Sequence, residues 1–168
     1  MYRESVLFSP LGTISDPIRD HHDGAFLHIM RHHRPRRAYL LMTEAVCAFD
    51  QLDNRYCLLG ERANPGCMFI REQHPEIVDA YRLNFEALMS DLLRRIIREN
   101  PHAKVLVNLS SGTSAMKAAI YLACAAAPGR VEAIRVARPP NRTYPSLEAM
   151  YRFDPEREWQ GCVDNHPG

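Results

Sequence analysis

Val105-Leu106-Val107-Asn108-Leu109-Ser110-Ser111-Gly112-Thr113-Ser114-Ala115-Met116-Lys117 decides the fold. It opens as a short apolar run, turns through small hydroxyl residues and a glycine, and continues into an alanine-rich helix. A strand, a tight polar loop and a helix N-terminus form a ready place for an anion. The helix contributes N–H groups without intrahelical partners and a partial positive charge, and the loop contributes hydroxyls and close backbone approach. The motif matches neither GxxxxGK[ST] nor GxGxxG, and it is not a Gly-x-Ser-x-Gly elbow. A phosphodiester oxygen, a ribose hydroxyl or a base edge would each suit Asn108, Ser110, Ser111, Gly112, Thr113 and Lys117. The plainer reading is that the polar residues make turns and Thr113 caps the helix. Lys117 opposes the helix dipole from the first turn, which favours a ligand.

Working outward, the same grammar repeats. Val6-Leu7-Phe8 is a first buried strand, followed by a loop from Ser9 to Asp20 with two prolines and a glycine. A helix is expected from Asp23 to about His33, ended by Pro35. Ala38 to Met42 is a second strand, and Thr43 caps a helix over Glu44 to Phe49. Asn54 to Pro65 carries Gly60 and Asn64 and reads as loop. Cys67 to Ile70 is a third strand, and His74-Pro75-Glu76 leads into a long amphipathic helix ended by Asn100-Pro101. Lys104 to Asn108 is the fourth strand, its helix runs from about Ser114 to Ala126, and Val131 to Val136 is the fifth. Beyond Ala137 the chain turns polar and proline-bearing, with a short helix expected near Ser146 to Tyr151.

Five alternations of strand and helix imply an α/β fold. It is a Rossmann-like, doubly wound, mostly parallel sheet of five or six strands with helices on both faces. In the 3-2-1-4-5 order the first and fourth strands are neighbours, and a crevice opens at their carboxyl ends. That places Ser9–Asp20 beside Asn108–Thr113.

Composition limits the function classes. The 168 residues suffice for about one domain, and 46% hydrophobic with 24% charged residues is ordinary for a globular protein. A net charge of +1 argues against holding long nucleic acid by bulk charge. Five scattered cysteines without CxxC speak against structural zinc and for reduced thiols, hence a cytoplasmic setting, and no apolar run approaches a membrane span. The pairs His21-His22 and His32-His33 are adjacent, which does not put two imidazoles on one helical face.

The two loops and their flanks resemble the N-terminal CARF domain of the CRISPR-associated Csm-type ancillary ribonucleases of type III systems. The matching residues are Leu7-Phe8-Ser9-Pro10-Leu11-Gly12, Asp16-Pro17-Ile18-Arg19, Asp23-Gly24, Leu27-His28-Ile29 and Arg31-His32-His33-Arg34-Pro35. The match resumes at Asn108-Leu109-Ser110-Ser111-Gly112-Thr113 with Met116-Lys117, and extends to Trp159 and Asp164-Asn165. The resemblance implies a CARF domain over 1–138 and a C-terminal extension, 139–168, towards a HEPN ribonuclease domain. It also implies a homodimer that senses a cyclic hexa- or tetra-adenylate lying across its dyad, with no metal or other cofactor. The binding residues so implied are Gly12, Thr13, Ser15, Asp16, Arg19, Asn108, Ser110, Ser111, Gly112, Thr113 and Lys117. Gly12 and Asp16 stand further apart than in the family's Gly-x-x-Asp-Pro, which leaves the roles of Thr13 and Ser15 open.

Some domains of this type cleave their ligand. In such a ring nuclease Thr13, Asn108, Ser110 and Lys117 would be the catalytic set. A HEPN motif needs Arg-x4–6-His; Arg95 to His102 has that spacing, but Asn100-Pro101 interrupts it, so it reads as chance. A dinucleotide-type α/β domain is a third reading, weakened by the missing glycine fingerprint.

Overall fold

A computed structural model describes residues 2, 4–13, 16–19, 22–75, 77 and 85–136. Twelve elements follow in chain order: β1 (Glu4–Pro10), β2 (Ile18–Arg19), β3 (His22–Asp23), α1 (Ala25–His33), β4 (Arg37–Thr43), α2 (Glu44–Asp53), α3 (Arg55–Ala63), β5 (Met68–His74), α4 (Phe85–Glu99), β6 (Ala103–Asn108), α5 (Ser114–Ala125) and β7 (Val131–Ile134). Five strands make one parallel sheet in the order β5-β4-β1-β6-β7. Numbered by their appearance in that sheet, this is the expected 3-2-1-4-5.

The apolar runs are continuous because both sheet faces are covered. Val6, Phe8, Tyr39, Leu41, Val105 and Val107 pack under α4 and α5. Leu7, Ala38, Leu40, Met42 and Leu106 alternate with them and pack under α1, α2 and α3. The period of two in a strand thus divides each run between two cores. Asn100 ends α4 as expected: its side chain donates to the Ile96 carbonyl at 2.8 Å and to the Tyr39 hydroxyl at 2.9 Å.

Three expectations are corrected. Asn54 to Pro65 is not loop but mostly helix α3, whose Tyr56, Leu59, Gly60 and Ala63 are buried at helical spacing. Gly60 is there for closeness: a Cβ would lie 2.8 Å from the Phe69 ring and 3.2 Å from Phe26. The third strand, expected to end at Ile70, runs on through His74 as β5, and α4 is described from Phe85. The Ser9–Asp20 loop begins later than expected, since β1 runs on through Pro10, and it holds β2, which pairs antiparallel with β3. The helix expected near Ser146 to Tyr151 and the whole 139–168 extension lie outside the described residues.

Cys47, Cys57, Cys67 and Cys124 are unbridged, and burial pushes the Cys57 and Cys124 thiols up to about 11 and Cys67 to about 12. Among the described residues no helix is long and apolar enough to cross a membrane.

Candidate functional site

The carboxyl ends of β1 and β6 are joined by a buried polar network. Asn108 closes β6 with no solvent exposure. Its amide donates to Ser9 Oγ at 2.9 Å and to Ser111 Oγ at 2.8 Å, while its Oδ1 accepts the Ser110 N–H at 2.8 Å. Ser9 passes its own hydroxyl to the Pro10 carbonyl at 2.9 Å. A buried amide with both ends engaged avoids the cost of unpaired polar groups, so this set is a scaffold.

Asp16 extends the network. It is 3% exposed, its Oδ2 accepts the Gly12 N–H at 3.1 Å, and its Oδ1 accepts the Phe26 N–H at 3.2 Å. Phe26 is in the first turn of α1, whose N-cap Gly24 has no side chain to offer, so Asp16 caps that helix from a distance. Burial pushes the Asp16 carboxyl up; hydrogen bonds from Ser111, Gly12 and Phe26, and the charge of Lys117, pull against that.

A more accessible rim lies over the scaffold. Gly12, Thr13, Gly112 and Lys117 are half-buried and Thr113 is exposed. Thr113 caps α5 by accepting the Met116 N–H at 3.3 Å, and Ser110 Oγ accepts the Val136 N–H at 2.8 Å. Gly112 sits at φ +86°, and a Cβ there would lie 3.1 Å from Pro10 Cβ and 3.2 Å from Met116 Sδ. The two loops therefore touch where only a glycine fits.

Of the residues expected at the site, Gly12, Thr13, Asp16, Asn108, Ser110, Ser111, Gly112, Thr113 and Lys117 come together here. The main chain of Arg19 is in β2; its side chain, like all of Ser15, is outside the described residues. Tyr56 was not expected. It is fully buried and donates its hydroxyl to the Gly12 carbonyl at 2.9 Å. Its signal was the apolar spacing of α3, masked by Gly60 and the Asn64-Pro65-Gly66 cluster that follows.

The remaining candidates fall elsewhere. Arg95 is held by Glu72 at 2.6 Å and by Glu99 at 3.8 Å, which gives it a structural partner on β5. The imidazoles that share a helical face are His28 and His32, with ring centroids 4.2 Å apart; burial, and then His32, pushes His28 below its ordinary range. Among the described residues no group of three His, Cys, Asp or Glu is arranged to hold a metal ion.

Comparison with known proteins places this geometry. The Csm6 CARF domain model matches residues 68–168. The CRISPR system endoribonuclease Csm6 of Mycobacterium tuberculosis is 32% identical over 168 aligned residues, covering 97% of this chain and 40% of the relative. The Csm6 of Enterococcus italicus is 31% identical over 149 residues, covering 80% of this chain and 32% of the relative. The chain thus spans well under half the length of these relatives. Among solved structures, Enterococcus italicus Csm6 bound to cyclic hexa-2′-fluoro-hexa-dAMP superposes with a TM-score of 0.71 and 28% identity, covering 81% of this chain and 34% of that one. With its five-stranded parallel sheet, its paired loops and a family model over more than half its length, the chain belongs to the CARF-domain family of the CRISPR protein Csm6.

Proposed function

We propose that this chain is a sensor domain of type III CRISPR defence. It binds a cyclic oligoadenylate, a hexamer in preference to a tetramer, across a homodimer axis, and passes occupancy to a HEPN ribonuclease domain of a longer protein. The observation that carries this is the match over 81% of the chain to a relative holding a cyclic hexanucleotide analogue. The site supports it. The rim offers the small residues, hydroxyls and helix N-terminus that suit phosphate and ribose, with one lysine among its described residues. A ring of identical units has two-fold symmetry to share, so two copies of one loop pair can hold it. Helix α5 starts at the site and leaves Tyr121 58% and Leu122 53% exposed, an apolar surface suited to a second copy of the chain.

A ring nuclease is the second reading. The ring's own 2′-hydroxyl would attack the adjacent phosphorus, forming a cyclic phosphate and releasing the 5′-oxygen. Lys117 beside the rim favours it, since a cation there would stabilise charge on the phosphate. Asp16, the carboxylate of this site, is committed to backbone N–H groups, which favours holding over cutting.

The test is calorimetric titration of the chain with cyclic hexa- and tetra-adenylate, followed by product analysis. One ring per two chains is expected, with the ring recovered intact. Linear products from the natural ring but none from its 2′-fluoro analogue would establish the nuclease. No heat with either ring at micromolar protein would refute both readings.

A further inference from the structure

We propose that Tyr56 is a positioning residue for ligand recognition: its hydroxyl fixes the Gly12 carbonyl and thereby aims the Gly12–Thr13 peptide at the ligand. The part concerning the ligand rests on the sensor reading above; the hold on the loop does not.

A fully buried phenol requires a hydrogen-bond partner. Tyr56 finds its partner 44 residues away in sequence, at the carbonyl of Gly12, 2.9 Å distant. The same Gly12 is held at its N–H by Asp16 Oδ2 at 3.1 Å. Both backbone groups of one rim residue are therefore fixed from beneath. A trans peptide is planar, with its C=O and the following N–H pointing in opposite directions. With the Gly12 carbonyl turned towards buried Tyr56, the Thr13 N–H is turned away from it. A backbone donor next to a half-buried threonine hydroxyl is what a phosphate or ribose oxygen needs.

The seat of Tyr56 is itself rigid. Gly60 lies one turn further along α3, on the same face, and allows α3 to approach the Phe69 and Phe26 rings so closely that a Cβ would collide with Phe69 at 2.8 Å. Phe26 in turn gives its N–H to Asp16 at 3.2 Å. Contacts thus run in a closed circuit through Gly12, Asp16, Phe26, Gly60 and Tyr56, tying the first loop to α1 and α3. Phenylalanine at 56 would pack equally well, so the hydroxyl is there for Gly12.

The experiment compares Tyr56→Phe with the unmodified chain and with Ile96→Val. Ile96 is a fully buried residue of α4, on the opposite sheet face, and serves to lower stability without touching the loop. Three quantities are read: melting temperature, hydrogen exchange of the peptide covering residues 7–13 in the free chain, and affinity for cyclic hexa-adenylate. For Tyr56→Phe the exchange of that peptide should accelerate while a peptide covering 103–109 is unchanged. Its affinity should fall about 3- to 10-fold, the range of one net hydrogen bond. Ile96→Val should keep its affinity whatever its melting temperature. Unchanged exchange at 7–13 overturns the hold on the loop. Faster exchange with affinity within about twofold of the unmodified chain overturns the role in recognition. If the unmodified chain binds no ring, the sensor reading fails and the recognition role with it, and the exchange result then decides the loop contact alone.

Discussion

Replacing Gly112 by alanine tests the contact between the two loops, and two other glycines supply the controls. Gly66, Gly112 and Gly129 have φ of +83°, +86° and +82°. Alanine at each meets the same backbone strain, roughly 1–2 kcal/mol, and the same loss of freedom in the unfolded chain. They differ in what a Cβ would touch. At Gly66 and Gly129 nothing lies within 4 Å; at Gly112 Pro10 Cβ lies at 3.1 Å and Met116 Sδ at 3.2 Å. Met116 can swing aside, but the Pro10 ring is fixed at the end of β1, so overpacking adds about 1–3 kcal/mol. At roughly 2–4 °C per kcal/mol for a chain of this length, Gly112→Ala should melt about 2–12 °C below Gly66→Ala and Gly129→Ala. Calorimetric melts of the three single variants measure this directly. Gly112→Ala should also lose affinity for the ring, since it parts the loops, whereas the other two should not. Equal melting temperatures for all three would refute the claim that the loops are in contact at Gly112.

Asn108→Ala removes the partner of Ser9, Ser111 and the Ser110 N–H at once. Leaving such buried groups unpaired should cost about 2–4 kcal/mol, seen in urea as a lower midpoint at unchanged slope. On the proposed function, Lys117→Ala should weaken ring binding and flatten its salt dependence, measured by titration between low and moderate salt, because a half-buried cation at the rim is lost. Asp16 gives a pH signature. Its carboxyl is raised by burial above the ordinary 3.8, so the folded state holds the proton more tightly than the unfolded one. Stability from this group is therefore present at low pH and is lost as pH rises from 3.8 through the raised value. The stability difference between the unmodified chain and Asp16→Asn should shift against the unmodified chain across that window, and a flat difference would show that Asp16 titrates normally.

The strands were legible because the evidence for them is local, and their order followed from the doubly wound arrangement that alternating strands and helices imply. Val6-Leu7-Phe8, Ala38 to Met42 and Val105-Leu106-Val107 are apolar without a break, and such short runs suit strands buried on both faces. Helix α3 was not legible because its most telling residue was misleading. Gly60 looks like a loop glycine, yet it is buried and lets a ring approach, while Tyr56, Leu59 and Ala63 keep the helical period. The residue types of the site were legible for the same reason as the strands: small polar residues cluster after β1 and β6. Their division of labour was not. Whether Asn108 touches a ligand or holds the loops depends on Ser9, 99 residues away. Nothing in the local sequence distinguishes the committed Ser111 from the exposed Thr113.

That division lets a carboxylate lie beneath the proposed anion site. Of the helices that begin at this end of the sheet, α1 and α5 follow the site's own strands, β1 and β6, and each N-terminus carries partial positive charge. The N-terminus of α1 is occupied from within: Asp16 accepts the Phe26 N–H there, and its remaining oxygen accepts the Gly12 N–H. The N-terminus of α5 is capped only by the neutral hydroxyl of Thr113, which is itself exposed. On the proposed function the internal carboxylate and the incoming anion therefore use different helices. Lys117 lies one turn into α5 and acts on both, since its charge also favours ionised Asp16. Replacing Lys117 should therefore do two things that a purely external cation would not: weaken phosphate binding and push the Asp16 carboxyl further up. A Lys117→Ala chain whose stability–pH profile matches the unmodified one would show that the lysine serves the rim alone.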